Sequence, residues 1–176
     1  LASCGARLIF GPRSGAKTID FTVPDGLPPG PLRRLLPLRV LSVETLRPGC
    51  DGEILWGDGR YASRHWREYV DPGAADVLAR YEDGAPAVLA AGNACYLASL
   101  SDQAFLQDFF AHQCTQAGVA TVDLPEDVRI SRRSHFMFAI NYSALTQPTP
   151  APKGTKFLIG GPELAPRDAA VWEITR

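Results

Sequence analysis

The sequence predicts an α/β part reaching to about residue 122 and a small antiparallel β part after it. Three observations carry this reading. The stretch Asp76–Gly118 reads as two apolar strands joined by a turn and followed by one amphipathic helix. Helix signals then stop beyond Pro125. From there the segments VRISRR, FMFAINYS, TKFLIGG and AAVWEIT read as short strands separated by polar or proline-rich links. The expected domains are therefore residues 1–122 and 123–176. A chain of 176 residues with 45% hydrophobic content can bury a core in either arrangement.

Taken in order, ARLIF at residues 6–10 has the character of a buried strand. GPRSGAKT at residues 11–18 places Gly11, Lys17 and Thr18 in the register of a phosphate-binding loop. Ala16 stands where that loop needs its second glycine, and the following IDFTVPDGLPPGP cannot start the helix whose N-terminus would face the anion. A plain strand-to-loop connection is expected. PLRRLL makes a short helical turn, with Pro31 in the first turn, where its missing N–H costs nothing. LRVLSVETL (38–46) and EILW read as strands between turns.

In Asp76–Gly118 the first apolar run is Ala87, Val88 and Leu89, and the second spans Ala94–Ala98. Ala91-Gly92-Asn93 supplies residues that tolerate positive φ, as a tight hairpin requires. Ser101 or Asp102 can cap the helix, and Gly118 can stop it. Leu106, Phe109, Phe110, Gln113, Cys114 and Ala117 recur at helical spacing and predict its buried face. In the β part, Phe136, Phe138, Ile140 and Tyr142 alternate with Met137, Ala139 and Asn141, which predicts one strongly apolar face. The proline-rich run near 148–152 reads as a link between strands, because neither side of it could fold alone.

Composition narrows the function classes. A net charge of −1 gives no electrostatic case for nucleic acid or for an anionic membrane surface. No apolar run approaches the roughly 20 residues needed to span a bilayer, and no secretory leader is recognisable. Leu1 stands directly before the strand-like ARLIF, so a processed product or a piece of a longer protein is expected. Cys4, Cys50, Cys95 and Cys114 lie far apart, and His65, His112 and His135 form no ligand pattern with them. Reduced, mostly buried thiols in a cytoplasmic protein are expected, with no metal and no cofactor.

The densest functional signal is an aromatic cluster interleaved with charge: Trp56, Tyr61, Arg64, Trp66 and Tyr69. Aromatic rings stack on sugars, and Trp, Tyr and Arg are also enriched at protein interfaces. A core or subunit interface outweighs sugar contact here, because the rings can simply fill a core that arginines coat. The carboxylates Glu44, Glu53, Glu68 and Asp76 show no facing pair of the kind glycoside hydrolysis needs, and most are expected to be solvated. Cys95 sits inside an apolar run, with Leu97 where a nucleophile elbow would need a small residue, and reads as a buried structural thiol. Ser14 and Ser101 have no histidine nearby in sequence. No catalytic residue is assigned.

The order GARLIFGPRSGAKT, PPGPLRRLL, HWREYV, VLARYEDGAPAVLAAGNACYLAS, an amphipathic helix, LPEDVRISRR and FMFAINYS resembles the C-terminal half of the β-galactosidases of glycoside hydrolase family 42. The YEDG-PAV segment and the F-x-INYS strand are its most telling parts, and the resemblance covers nearly the whole chain. It implies a partial flavodoxin-like domain, related to class I glutamine amidotransferases, that mediates trimerisation, and then a C-terminal antiparallel β domain. It places the catalytic glutamates in a barrel preceding Leu1, so none is carried over, and it makes Cys95 at most a relic position. Where family members show a Gly-Lys-Gly-like turn, this chain has the shorter Ala91-Gly92-Asn93. The implied role is a non-catalytic oligomerisation and C-terminal region. The implied parent is a homo-oligomer, a trimer, that hydrolyses terminal β-D-galactosides with retention through that barrel. A stand-alone carbohydrate-binding or scaffolding module is the alternative reading, and an active amidotransferase-like hydrolase is a third.

Overall fold

A computed structural model describes residues 5–174, which divide between Ala120 and Thr121 into two compact units. The first unit is built on one eight-stranded sheet. Its strands are β1 (Leu8–Phe10), β2 (Arg39–Thr45), β3 (Gly52–Trp56), β4 (Gly59–Asp71), β5 (Asp76–Tyr81), β6 (Pro86–Ala91), β7 (Ala94–Leu97) and β8 (Ser99–Ser101). They lie in the order β1-β7-β6-β5-β3-β4-β2, with β8 also paired to β4. Only Ala98 separates β7 from β8, so the pairings running from β4 through β3, β5, β6 and β7 return to β4 through β8.

The continuous apolar runs are explained by burial on both faces of this sheet. Val88, Cys95 and Leu97 point into one core with Ile54, Tyr81, Phe105 and Phe109. Their neighbours Leu89, Ala94 and Tyr96 point into a second core with Leu36, Leu38, Val40 and Val70. A helix covers the first core. Residues 30–38, which begin with a 3₁₀ turn at Gly30–Leu32, supply Leu32, Leu35, Leu36 and Leu38 to the second.

The helix α1 spans Gln103–Gln116, and Asp102 caps it by accepting from the Phe105 N–H at 2.8 Å. Gly118 follows in the left-handed conformation at φ +67°, as a helix stop requires. The buried stripe is Phe105, Phe109 and Gln113, each one turn from the last. This corrects the expected face: Phe110 is 45% exposed and Phe105 is buried. The cause is the anchor at Asp102. Its second carboxylate oxygen also accepts from the Ala62 N–H at 3.1 Å, which orients the helix on β4.

The Asp76–Gly118 stretch holds two strands more than expected, β5 and β8. The lead-in is itself β5, paired antiparallel with β6. The turn into β7 is as short as the sequence suggests, with Gly92 at φ +55° and Ala91 paired to Ala94. The α/β expectation holds only coarsely. The chain is mostly β, α1 is the single α-helix among the described residues, and β1 with β7 is the single parallel pair. The alternation of strands and helices that defines a flavodoxin-like domain is not present among those residues.

The second unit has a four-stranded antiparallel sheet in the order β12-β14-β10-β9, from β9 (Val128–Arg133), β10 (Phe136–Asn141), β12 (Phe157–Ile159) and β14 (Ala169–Glu173). The proline-rich link contributes the short β11 (Gln147–Pro148), paired with β13 (Glu163–Leu164). The core is Val128, Ala139, Leu164, Ala170 and Trp172, with Met137 and Phe157 packed against it. Here the expected face of β10 is inverted: Met137, Ala139 and Asn141 face the core, while Ile140 and Tyr142 are exposed. Asn141 reverses the polarity because its side chain serves as an interior hydrogen-bonding hub. Its Nδ2 donates to the carbonyls of Leu145, Leu164 and Ala165, and its Oδ1 accepts from the backbone N–H and the hydroxyl of Ser143.

Candidate functional site

The aromatic–charge cluster falls on the β3–β4 hairpin, and β4 divides it between environments. The strand runs for 13 residues and bends where His65 adopts φ +63°. Its first half pairs with β3 and its second half with β2. The sequence therefore lists as neighbours side chains that the fold separates.

Trp56 and Tyr61 lie against the helix. The Trp56 ring meets Phe105, Phe109 and His112 edge-on at centroid distances of 5.9, 5.7 and 5.4 Å. Tyr61 packs on Phe105 and donates its hydroxyl to Asp108 Oδ2 at 2.8 Å, a bond that raises its pKa. Both rings are half-buried and occupied by packing. Arg64 is the exposed member and pairs with Asp51 at 3.2 Å.

Trp66 and Tyr69 belong to two polar knots. In the first, Glu68 is 2% exposed, the exception to the expectation that most of the four carboxylates are solvated. Its Oε2 accepts from the Tyr96 hydroxyl, and its Oε1 accepts from Trp66 Nε1 at 3.2 Å and from the Arg13 backbone N–H at 2.9 Å. Burial and the bond to Glu68 push the Tyr96 phenol well above its ordinary range. The Arg13 contact ties the loop after β1 to the sheet. Residues 11–18 thus form an anchored connection with no helix after it, as the sequence reading expects.

In the second knot the Arg67 guanidinium lies 4.0 Å from the centroid of the Tyr81 ring and 4.6 Å from that of Tyr69, and it pairs with Asp83. Tyr69 in turn donates to Glu44 Oε2 at 2.8 Å, which raises its pKa. Sequence reasoning missed both knots. A signal was present: Arg67-Glu68 places adjacent charges inside an otherwise aromatic and aliphatic strand, so one charge must face each core.

Cys95 is fully buried, burial pushes its thiol up, and its Sγ lies 3.8 Å from Gln113 Oε1. The disposition is that of a structural thiol, as expected. Cys50 and Cys114 are also free, while Cys4 lies outside the described residues. Among the described residues no group of three or more His, Cys, Asp or Glu side chains is gathered as a metal site would need.

The mostly β fold and its side-chain arrangement define a structural domain type in which the conspicuous polar groups of the cluster are committed to one another. Comparison with known proteins gives the particular family: the chain belongs to the β-galactosidase trimerisation-domain family, whose model matches residues 1–120. Residues 127–173 match the β-galactosidase C-terminal domain. A β-galactosidase of a Thermus species is 43% identical over 167 residues, which is 94% of this chain and 26% of that protein. The β-galactosidase of Thermus thermophilus is 39% identical over a like span. Among solved structures, a β-galactosidase from the psychrophilic Marinomonas ef1 superposes with a TM-score of 0.88 at 32% identity, covering 96% of this chain and 26% of that one. One from Halorubrum lacusprofundi superposes with a TM-score of 0.87 at 25% identity, covering 96% and 27%. The chain thus spans about a quarter of the length of the relatives it matches, and the resemblance to glycoside hydrolase family 42 is shown.

Proposed function

We propose that this chain is the oligomerisation and C-terminal region of a β-galactosidase. It assembles copies of the parent enzyme and leaves hydrolysis to a catalytic barrel outside this sequence. The carrying observation is that the quarter shared with the relatives is the part matched by the trimerisation and C-terminal domain models. In this reading residues 1–122 are the trimerisation domain and residues 123–176 the closing β domain. The parallel pair of β1 with β7, together with α1 on the sheet, supports a partial flavodoxin-like ancestry for the first. The parent is a cytoplasmic homotrimer that hydrolyses terminal β-D-galactosides with retention.

Of the five residues singled out, Arg64 offers exposed surface, and Trp66 and Tyr69 are half-buried, so these three are the interface candidates within the cluster. Trp56 and Tyr61 contribute mainly to packing under the helix. Sugar contact is the weaker reading, since ring faces engaged in the core cannot also stack on a pyranose.

The test joins an activity assay with a mass measurement on the purified chain. No turnover of a chromogenic β-galactoside is expected, together with a concentration-dependent mass that converges on three copies. Hydrolysis by the chain alone, or a monomer at every concentration, would overturn the reading.

A further inference from the structure

The most exposed apolar side chains of the first unit all lie on the loop between β1 and β2. Ile19 is 94% exposed, Phe21 84% and Val23 71%, and Leu27 on the same loop is 43% exposed. The loop is nonetheless built. Thr18 and Thr22 join by the backbone at 2.9 Å and by their hydroxyls at 2.7 Å, and the Phe21 N–H donates to the Thr18 carbonyl at 3.1 Å. Its base is fixed by Arg33 Nη2, which donates to the Leu27 carbonyl at 2.8 Å. Gly15 packs so closely on Pro29 that an added Cβ would lie 2.6 Å from the Pro29 carbonyl oxygen. Phe21 itself sits at φ +59°, a conformation that a bulky side chain adopts only at a cost. A strained backbone that holds a phenylalanine out into water is an arrangement for presenting it.

The loop is continuous with a second exposed feature. The Pro28 carbonyl accepts from the Val40 N–H at 2.8 Å, which fastens the end of the loop to the outer edge of β2. β2 closes one end of the sheet order, and beyond that bond no strand of the described residues pairs with its outer edge. Leu41 and Val43 along it are 54% and 51% exposed. An unpaired apolar edge strand is a site for association. The six side chains together offer several hundred Å² of apolar surface, on the order of the ~800 Å² per partner in a standard interface.

We propose that the Thr18–Leu27 loop and the outer edge of β2 form the surface by which one copy of this chain binds the next. The inference rests on the trimerisation reading above and adds where the contact lies. In a closed ring of three the contacts are heterologous, so this patch meets a different surface on its neighbour rather than itself. Six exposed apolar side chains, with Asp20, Thr22 and Asp25 between those of the loop, suit a second protein copy better than a sugar with its many hydroxyls.

Two double variants of the chain test this, Ile19→Asp/Phe21→Asp on the loop and Leu41→Lys/Val43→Lys on the edge. Leu158→Asp/Ile159→Asp, at positions of the second unit as exposed as Leu41 and Val43, is the control. Light scattering reads the mass and far-ultraviolet circular dichroism reads the fold. The expected result is a fall from three copies to one in both test variants with an unchanged spectrum, and a trimeric control. Test variants that stay trimeric while the unmodified chain also assembles overturn the location alone. An unmodified chain that never assembles removes the trimerisation reading and this inference with it. If the loop variant fails to fold, Phe21→Ser, which leaves no new charge, decides by the same readout.

Discussion

The hydroxyl of Tyr96 donates to the carboxylate of Glu68 in the interior of the first unit, although β7 and β4 are not neighbours in its sheet order. The pair joins two strands, and through the Arg13 N–H it also joins the loop after β1. Among the described residues no cation forms an ion pair with Glu68, so its three donors compensate its desolvation.

Tyr96→Phe removes one of those donors and leaves the carboxylate short of a partner. A buried acceptor that loses its donor costs about 1–3 kcal/mol, to be read as a lower urea midpoint with an unchanged slope. Glu68→Ala should cost more, because it orphans the Tyr96, Trp66 and Arg13 donors at once and opens a cavity. It should also free residues 11–18. Limited trypsin digestion should then cut after Arg13 and Lys17 faster in Glu68→Ala than in Tyr96→Phe. Equal cleavage in both would mean that the loop is held by other contacts.

Arg67 and Asp83 illustrate a charge retained by aromatic stacking. Arg67→Lys keeps the positive charge but loses the planar face lying between Tyr69 and Tyr81. A loss of about 1–2 kcal/mol is expected from the weakened ring contacts. The Ala85 backbone N–H and the Arg67 guanidinium hold the Asp83 carboxyl below the usual carboxylate range. A depressed folded value means that the stabilisation is complete above the unfolded pKa of about 3.9 and disappears as pH falls through the folded value. Asp83→Asn should therefore be less stable than the unmodified chain near neutrality, with the gap closing below about pH 4. Asp83 is half-exposed, which keeps the effect small. Melting curves across that range check the sign.

Much of this fold was legible in the residues. Continuous apolar runs identified the strands β6 and β7 that are buried on both faces, Asp102 and Gly118 marked the ends of α1, and Gly92 marked the hairpin. What was not legible depends on pairing across long sequence separations. The bend of β4 at His65 sends Tyr61 and Trp66 to different surroundings, and nothing local in HWREYV announces it. The buried face of β10 was misread because Phe136, Phe138 and Ile140 are the larger apolar residues. Asn141 takes the interior only because carbonyls of Leu164 and Ala165, more than twenty residues away, wait there unpaired.

The cysteines should separate cleanly by reactivity. Cys50 is exposed and Cys95 fully buried, with burial pushing the Cys95 thiol up and so depleting its thiolate. Brief alkylation of the folded chain at pH 8 followed by peptide mass mapping should modify Cys50 and spare Cys95. Denaturant should erase the difference. Cys95→Ser should leave any measured glutamine hydrolysis unchanged, as befits a packing residue. Rapid labelling of Cys95 in the folded state would mean that the sheet opens readily beneath α1.

Asn141 supports the sharpest prediction for the second unit. Five hydrogen bonds converge on one buried side chain and connect β10 to Ser143, to Leu145 and to the segment around β13. Asn141→Asp preserves the size and the acceptor for Ser143 but turns the amide nitrogen into an oxygen facing three carbonyls. Repulsion between buried acceptors adds to the desolvation of the new charge, so the loss should exceed the 1–3 kcal/mol of a single unsatisfied group. Asn141→Ala loses all five bonds but adds neither repulsion nor a buried charge, and should fall between Asn141→Asp and the unmodified chain. Hydrogen exchange can follow each unit by its own amides. Protection should fall across β9, β10 and β14 in both variants, more in Asn141→Asp, while β6 and β7 keep theirs. Loss of protection in both units together would show that they unfold as one cooperative body, with Asn141 supporting the whole chain rather than its own sheet.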